Sequence, residues 1–119
     1  MKEKILVFDS TFGYAKYFEK IYKKKYEVIT INYSTDLKNL DIFYFDTIIF
    51  MANELEDVNL FSKIHSSYKG IRMFLELTKL NLVAEVKTMN LKDIFIIKNE
   101  MNKTEKIDFI NSKLTQEAA

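Results

Sequence analysis

Cysteine, proline and tryptophan are absent from this chain, and it carries two glycines and a single histidine. Without cysteine there is no disulfide and no thiolate metal site, and the redox compartment is left open. Glycine and proline ordinarily make up about 7% and 5% of a protein, so the turns here must be built from Asn, Asp, Ser and Lys. Phosphate-binding loops that need several glycines are excluded. The lone His65 falls on the polar side of a helical pattern, without the partners that metal binding or nucleophilic catalysis requires, and is expected to be solvated. Charge of one sign is also missing: 18 Lys and Arg face 17 Asp and Glu, a formal net charge of +1. That leaves no global field to draw in nucleic acid or a membrane surface. No apolar run approaches the roughly 18 residues of a membrane span. The opening MKEKILVFDS has only a short apolar run ending in an acid, too short for the core of a signal peptide, and reads as a first strand. Cytoplasmic residence is the resulting expectation.

What remains is an ordinary globular composition, 48% hydrophobic and 29% charged over 119 residues, enough for one domain with a real core. Two periodicities alternate along it. KILVF (4–8), YEVITIN (26–32), DTIIFMA (46–52), IRMFLE (71–76) and DIFIIK (93–98) are short apolar, β-branched runs, the pattern of strands buried on both faces. Between them, apolar residues recur at helical spacing: Phe12, Ala15, Phe18, Ile21 and Tyr22; Leu37 and Leu40 after a Ser34 cap; Val58, Phe61, Ile64 and Tyr68 after an Asp57 cap; Leu82, Val83, Val86 and Met89. Gly70 is placed to end the third of these. Asn102 followed by Glu105 forms a capping-box start for a last helix through Ile107, Ile110 and Leu114. The domain is therefore expected over residues 1–114, with 115–119 as an unstructured tail.

Five strands alternating with five helices predict an α/β fold: a three-layer αβα sandwich around a five-stranded parallel sheet of order 2-1-3-4-5. Ligands on such sheets sit beyond the carboxyl ends of the strands, near the switch between strands 1 and 3. The residues that fall there are Asp9 to Gly13, Met51 to Asn53, Glu76 to Thr78, and Lys98 with Asn99.

In element order and in the phrases KILVFDS, YEVITIN, FDTIIFMANELEDVN and DIFIIKNEMNKTE, the chain resembles a response-regulator receiver domain over nearly its full length. The resemblance implies an acidic pair after strand 1, a phospho-accepting Asp ending strand 3, a Thr or Ser ending strand 4 and a Lys ending strand 5. Three carboxylates would hold a Mg²⁺ that neutralises the incoming phosphoryl oxygens. Position by position, Asp9 matches the pair but Ser10 replaces its second acid. Met51 stands in the phospho-acceptor's place, Glu76 in that of the hydroxyl, and Thr78 follows two residues later. Lys98 matches, Asn99 replaces the usual proline, and Phe95 matches the aromatic that reports the switch state or borders an interface. Read on the residues alone, Asp9 caps the first helix and Lys98 pairs with Asp9 or Glu76.

The stretch Ser10-Thr11-Phe12-Gly13-Tyr14-Ala15 resembles instead, in part, the phosphate loop of flavodoxins, which share the topology. It keeps the first hydroxyl and the glycine, giving Ser10, Thr11 and Gly13 as an alternative site for FMN or another phosphate-bearing ligand. No aromatic in MANELEDVN or LTKLNL is available to stack on a flavin. Glu54, Glu56 and Asp57 lack the spacing of a metal loop, so no metal site is expected. Lys23 to Lys25 sit at a helix end, where cations favour the dipole. Tyr14, Tyr17, Phe43, Tyr44 and Phe45 exceed what one small core needs, and some are expected to form a contact surface.

The resulting expectation is a non-catalytic, pseudo-receiver type of regulatory domain with no cofactor. Its pocket is a degenerate set of Asp9, Ser10, Met51, Glu76 and Lys98. Its partner would be another protein or a second copy, with neither nucleic acid nor membrane involved.

Overall fold

Strand β3 (Thr47–Ala52) is buried at all six positions, which fixes it as the centre of the sheet. The structure is a computed structural model that describes residues 3–10 and 15–116. On one side of β3 lies β1 (Glu3–Asp9) and then β2 (Tyr26–Ile31); on the other, β4 (Arg72–Leu77) and then β5 (Ile94–Ile97). All neighbours are parallel, in the order β2-β1-β3-β4-β5. This is the predicted sheet. The edges read as edges, since Ile96 on β5 is exposed.

Because side chains alternate along each strand, the sheet feeds two cores. Leu6, Phe8, Ile48, Phe50, Met73 and Leu75 face helices α2 (Leu55–Ser67) and α3 (Leu80–Met89). Ile5, Val7, Ile49, Met51, Phe74 and Ile97 face α1 (Ala15–Tyr22) and α4 (Lys103–Gln116). On the first face Phe8 stacks on Phe50 at 4.4 Å between centroids, and Phe61 from α2 closes on Phe50 at 5.4 Å. Each such fully buried ring contributes about 1.5–3 kcal/mol relative to exposure.

The helix boundaries differ from expectation in ways local chemistry explains. The Ser34 helix is two short 3₁₀ segments, Ser34–Asn39 and Ile42–Tyr44. Ser, Thr, Asp and Asn compete for backbone groups and disfavour a regular helix over so short a stretch. Asp41, not Ser34, supplies a cap, accepting from Phe43 N at 3.1 Å. Helix α2 starts at Leu55 with Glu54 as its N-cap residue. Asp57 is thus its third residue rather than its cap, and reaches back to Glu54 N at 3.0 Å. At α4 the predicted capping box is present: Asn102 N donates to Glu105 Oε1 at 2.9 Å, and Glu105 N to Asn102 Oδ1 at 2.8 Å. That helix runs to Gln116, two residues past Leu114. Gly70 lies between α2 and β4 at φ +83°, a conformation that favours glycine.

Of the surplus aromatics, Tyr17, Phe43 and Tyr44 are exposed while Phe45 is buried; Tyr14 lies outside the described residues. Ile21, expected on the inner face of α1, is also exposed. His65 is half-buried rather than solvated: it stacks near Phe61, and its Nε2–H donates to Lys92 O at 2.7 Å. Among the described residues, no helix is long and apolar enough to cross a membrane.

Candidate functional site

Parallel pairing places Asp9, Met51, Glu76 and Ile97 side by side across four strands. All four lie at the carboxyl ends of their strands. By the two-residue period, Asp9 continues the Ile5–Val7 face, Met51 the Ile49 face and Glu76 the Phe74 face. The row therefore points toward α1 and α4. Met51 is 1% exposed, and the two acids flanking it are 1% and 3% exposed. None of the three meets solvent.

Two buried carboxylates need partners. Asp9 Oδ2 accepts from Ala15 N at 3.3 Å, at the described start of α1, which is the capping role read from the sequence. Its backbone carbonyl accepts from Asn32 Nδ2 at 2.8 Å, fastening the end of β1 to that of β2. Glu76 is held by Lys106 of α4, whose Nζ lies 2.7 Å from Glu76 Oε2. Both side chains are well buried, 12% exposed for Lys106 and 4% for Glu76.

Lys106 takes the place expected for Lys98, and that expectation is corrected. Lys98 follows Ile97 by one residue, so strand geometry sends it away from the Glu76 side, and it is exposed. Its ammonium makes no ion pair or side-chain hydrogen bond among the described residues. Lys106 escaped the sequence reading because it reads as one more helix-surface cation. The available signal was its spacing: Lys106, Ile110 and Leu114 recur every four residues and share one stripe of α4.

On the other side of the strand ends, polar groups are tied to one another. Asp57 Oδ2 accepts from Asn53 N at 2.9 Å and from Ser10 Oγ at 3.3 Å, joining β1, β3 and α2. Thr78 Oγ1 lies 2.8 Å from Asn53 Oδ1 and 3.2 Å from Ala52 O, so its one proton serves both. Lys79 Nζ pairs with Glu54 Oε1 at 2.8 Å. Ser10, the described member of the alternative phosphate loop, thus has its hydroxyl engaged; Thr11 and Gly13 lie outside the described residues. Phe95 is half-buried, tilted against Phe74 at 5.0 Å, with the Lys113 ammonium 5.6 Å from its ring centre.

The donor set can be matched to chemistry. Two carboxylates, one of them paired with Lys106, with one thioether and a hydroxyl bonded to Asp57, do not make the oxygen cage that Mg²⁺ demands. Among the described residues, no three His, Cys, Asp or Glu side chains converge as a metal site. Methionine cannot form an acyl phosphate.

No protein-family model and no curated protein matches the chain. Solved structures do. A response-regulator receiver domain protein (CheY-like) from Methanospirillum hungatei superposes with a TM-score of 0.75 at 19% identity, covering 98% of this chain and 96% of that one. The response regulator DrrB from Thermotoga maritima, an OmpR/PhoB homolog, gives 0.75 at 15% identity, with 98% of this chain matching 54% of the longer protein. The BeF3-activated DrrB receiver domain gives 0.72 at 12% identity, over 98% and 97%. The fold is that of receiver domains.

Proposed function

We propose that the chain is a receiver-like regulatory domain that acts by protein–protein contact and performs no phosphoryl chemistry. The observation that carries this reading is Met51, 1% exposed at the end of the central strand between Asp9 and Glu76. In receivers the corresponding strand end presents the phospho-accepting carboxylate to water. Here the position packs into the core shared with Ala15, Phe18 and Ile107.

Three further features support it. The place of the pair's second acid is taken by Ser10, whose hydroxyl is turned to Asp57. The cation nearest the row, Lys106, is already committed to Glu76 at 2.7 Å. Lys98, which the resemblance would assign to an incoming phosphoryl group, extends into solvent. With Lys106 committed to Glu76 and Asp9 adding a further carboxylate, the row has no positive charge to spare for an anion. The contacts through which such a domain works would then lie on its surface, with Phe95 and Lys98 at the β5 edge as candidates.

Titration of ¹⁵N-labelled protein with Mg²⁺ and beryllium fluoride tests this directly. The amide resonances of Asp9, Met51 and Glu76 are expected to stay in place. Saturable shifts centred on those residues would sink the reading.

A further inference from the structure

Helix α4 covers the Met51 side of the sheet with an inner stripe of mixed character. Ile107, Ile110 and Leu114 are buried on it, but two polar side chains share it. Lys106 lies one turn before Ile110 and is paired with Glu76. Asn111 lies one turn after Ile107 and one before Leu114, and its side-chain oxygen is buried without a hydrogen bond. A buried acceptor left unmet is destabilising. A buried ion pair returns little, because the hydration that both charges lose offsets most of their attraction. Over the other face α2 brings Val58, Phe61 and Ile64, all buried, and Phe61 closes on the Phe8–Phe50 stack. Connectivity differs as well. Helices α1, α2 and α3 each link two strands of the sheet, whereas α4 is joined to one, the edge strand β5.

We propose that α4 is a releasable cover, which lifts from the sheet as a unit while the five strands stay paired. The hinge is the turn between β5 and α4, closed by Met101 N donating to Lys98 O at 3.2 Å. Lifting rehydrates Lys106 and Glu76 together and gives water to the Asn111 oxygen, so the polar groups of the stripe oppose little of the motion. What resists it is the exposure of Ile107, Ile110 and Leu114 and of the apolar residues beneath them. Openings of this kind lie below global unfolding in free energy and occur in cooperative units. The strand-end row that is closed in the ground state thereby becomes reachable without unfolding the domain. The proposal holds whichever surface meets a partner.

Thiol modification tests it. The chain has no cysteine, so Met51→Cys and, on the opposite face, Ile48→Cys each introduce a single thiol at a position 1% exposed. Reaction with a small aromatic disulfide under native conditions is compared with each variant's own global unfolding, measured in urea. The thiol at 51 is expected to react about tenfold or more faster than global unfolding allows, and the thiol at 48 no faster. Asn111→Leu should slow reaction at 51 about tenfold, by removing the unmet acceptor from the closed state. Lys106→Met leaves Glu76 unpaired in the closed state and should speed it about tenfold or more, and adding Glu76→Gln should return it near the starting rate. In the unsubstituted chain, the amides of residues 107–114 are expected to exchange hydrogen through one shared opening, ahead of those of β1, β3 and β4. A thiol at 51 that reacts only through global unfolding overturns the proposal, as does equal acceleration at 48. So do α4 amides that exchange only together with the strands, or a rate at 51 that Asn111→Leu and Lys106→Met both leave unchanged.

Discussion

Replacing Lys106 by methionine removes the ammonium 2.7 Å from Glu76 while keeping most of the volume and the apolar stem. Glu76 is 4% exposed and Lys106 12%, so solvent screens the pair poorly. Breaking a buried pair by deleting one partner costs about 3–5 kcal/mol, because the remaining charge is left in a poor dielectric. The slight exposure of Lys106 argues for the lower end, about 3 kcal/mol. For a domain of this size, whose total stability is about 5–15 kcal/mol, that loss is a large part of the whole. The partner change, Glu76→Gln combined with Lys106→Met, removes both charges together and should recover most of the deficit, since uncharged replacements of a buried pair are often neutral. Urea denaturation at pH 7, followed by circular dichroism, gives both numbers and their coupling energy. A Lys106→Met variant within about 1 kcal/mol of wild type, the range of an exposed pair, would refute the assignment of Lys106 as the cation that holds the strand-end row closed.

Other outcomes follow from the same geometry. Met51→Asp puts a carboxylate where exposure is 1% and should cost about 3 kcal/mol or more, whereas Met51→Leu should cost less than about 1.5 kcal/mol; thermal melts distinguish them. Lys98→Ala should shift stability by no more than about 0.5 kcal/mol, because the side chain is exposed. In an alkaline titration followed by phenolate absorbance, Tyr22 and Tyr44 should ionise after the ordinary tyrosines. Burial, with the nearby Asp108, raises the Tyr22 pKa, and the hydrogen bond to Glu27 raises that of Tyr44. The sign follows: the folded state favours the neutral phenols, so their contribution is present below pH 10 and fades above it. Phenolate absorbance complete at the ordinary tyrosine pH would contradict both environments.

The sheet was legible because its central strands are covered on both faces. ILVF, TIIFM and MFLEL carry continuous apolar runs that little else explains, and their alternation with helical patterns left few topologies. The start of α4 was legible because Asn102 and Glu105 satisfy each other's neighbours within four residues, a purely local device. What failed was decided by local competition for backbone groups or by partners distant in sequence. The 34–44 stretch has apolar residues at helical spacing, yet Leu37 and Ile42 are buried from 3₁₀ turns. Asp57 looks like a cap, but its carboxylate is drawn back to Asn53 N, Glu54 N and Ser10 Oγ together. For the strand-end row, counting along strands located Asp9, Met51 and Glu76 correctly, since parallel register is nearly set by strand length. It misplaced the cation because Lys106 arrives from a helix 30 residues downstream of Glu76. No local pattern encodes that meeting.

The most direct measurement is the intact mass of the folded chain after incubation with acetyl phosphate and Mg²⁺, beside an active receiver domain treated identically. The expected result is an unchanged mass for this chain while the control gains one phosphoryl group. Stoichiometric addition of a phosphoryl group would show that some carboxylate of the chain is open to this chemistry despite Met51, and would contradict the account.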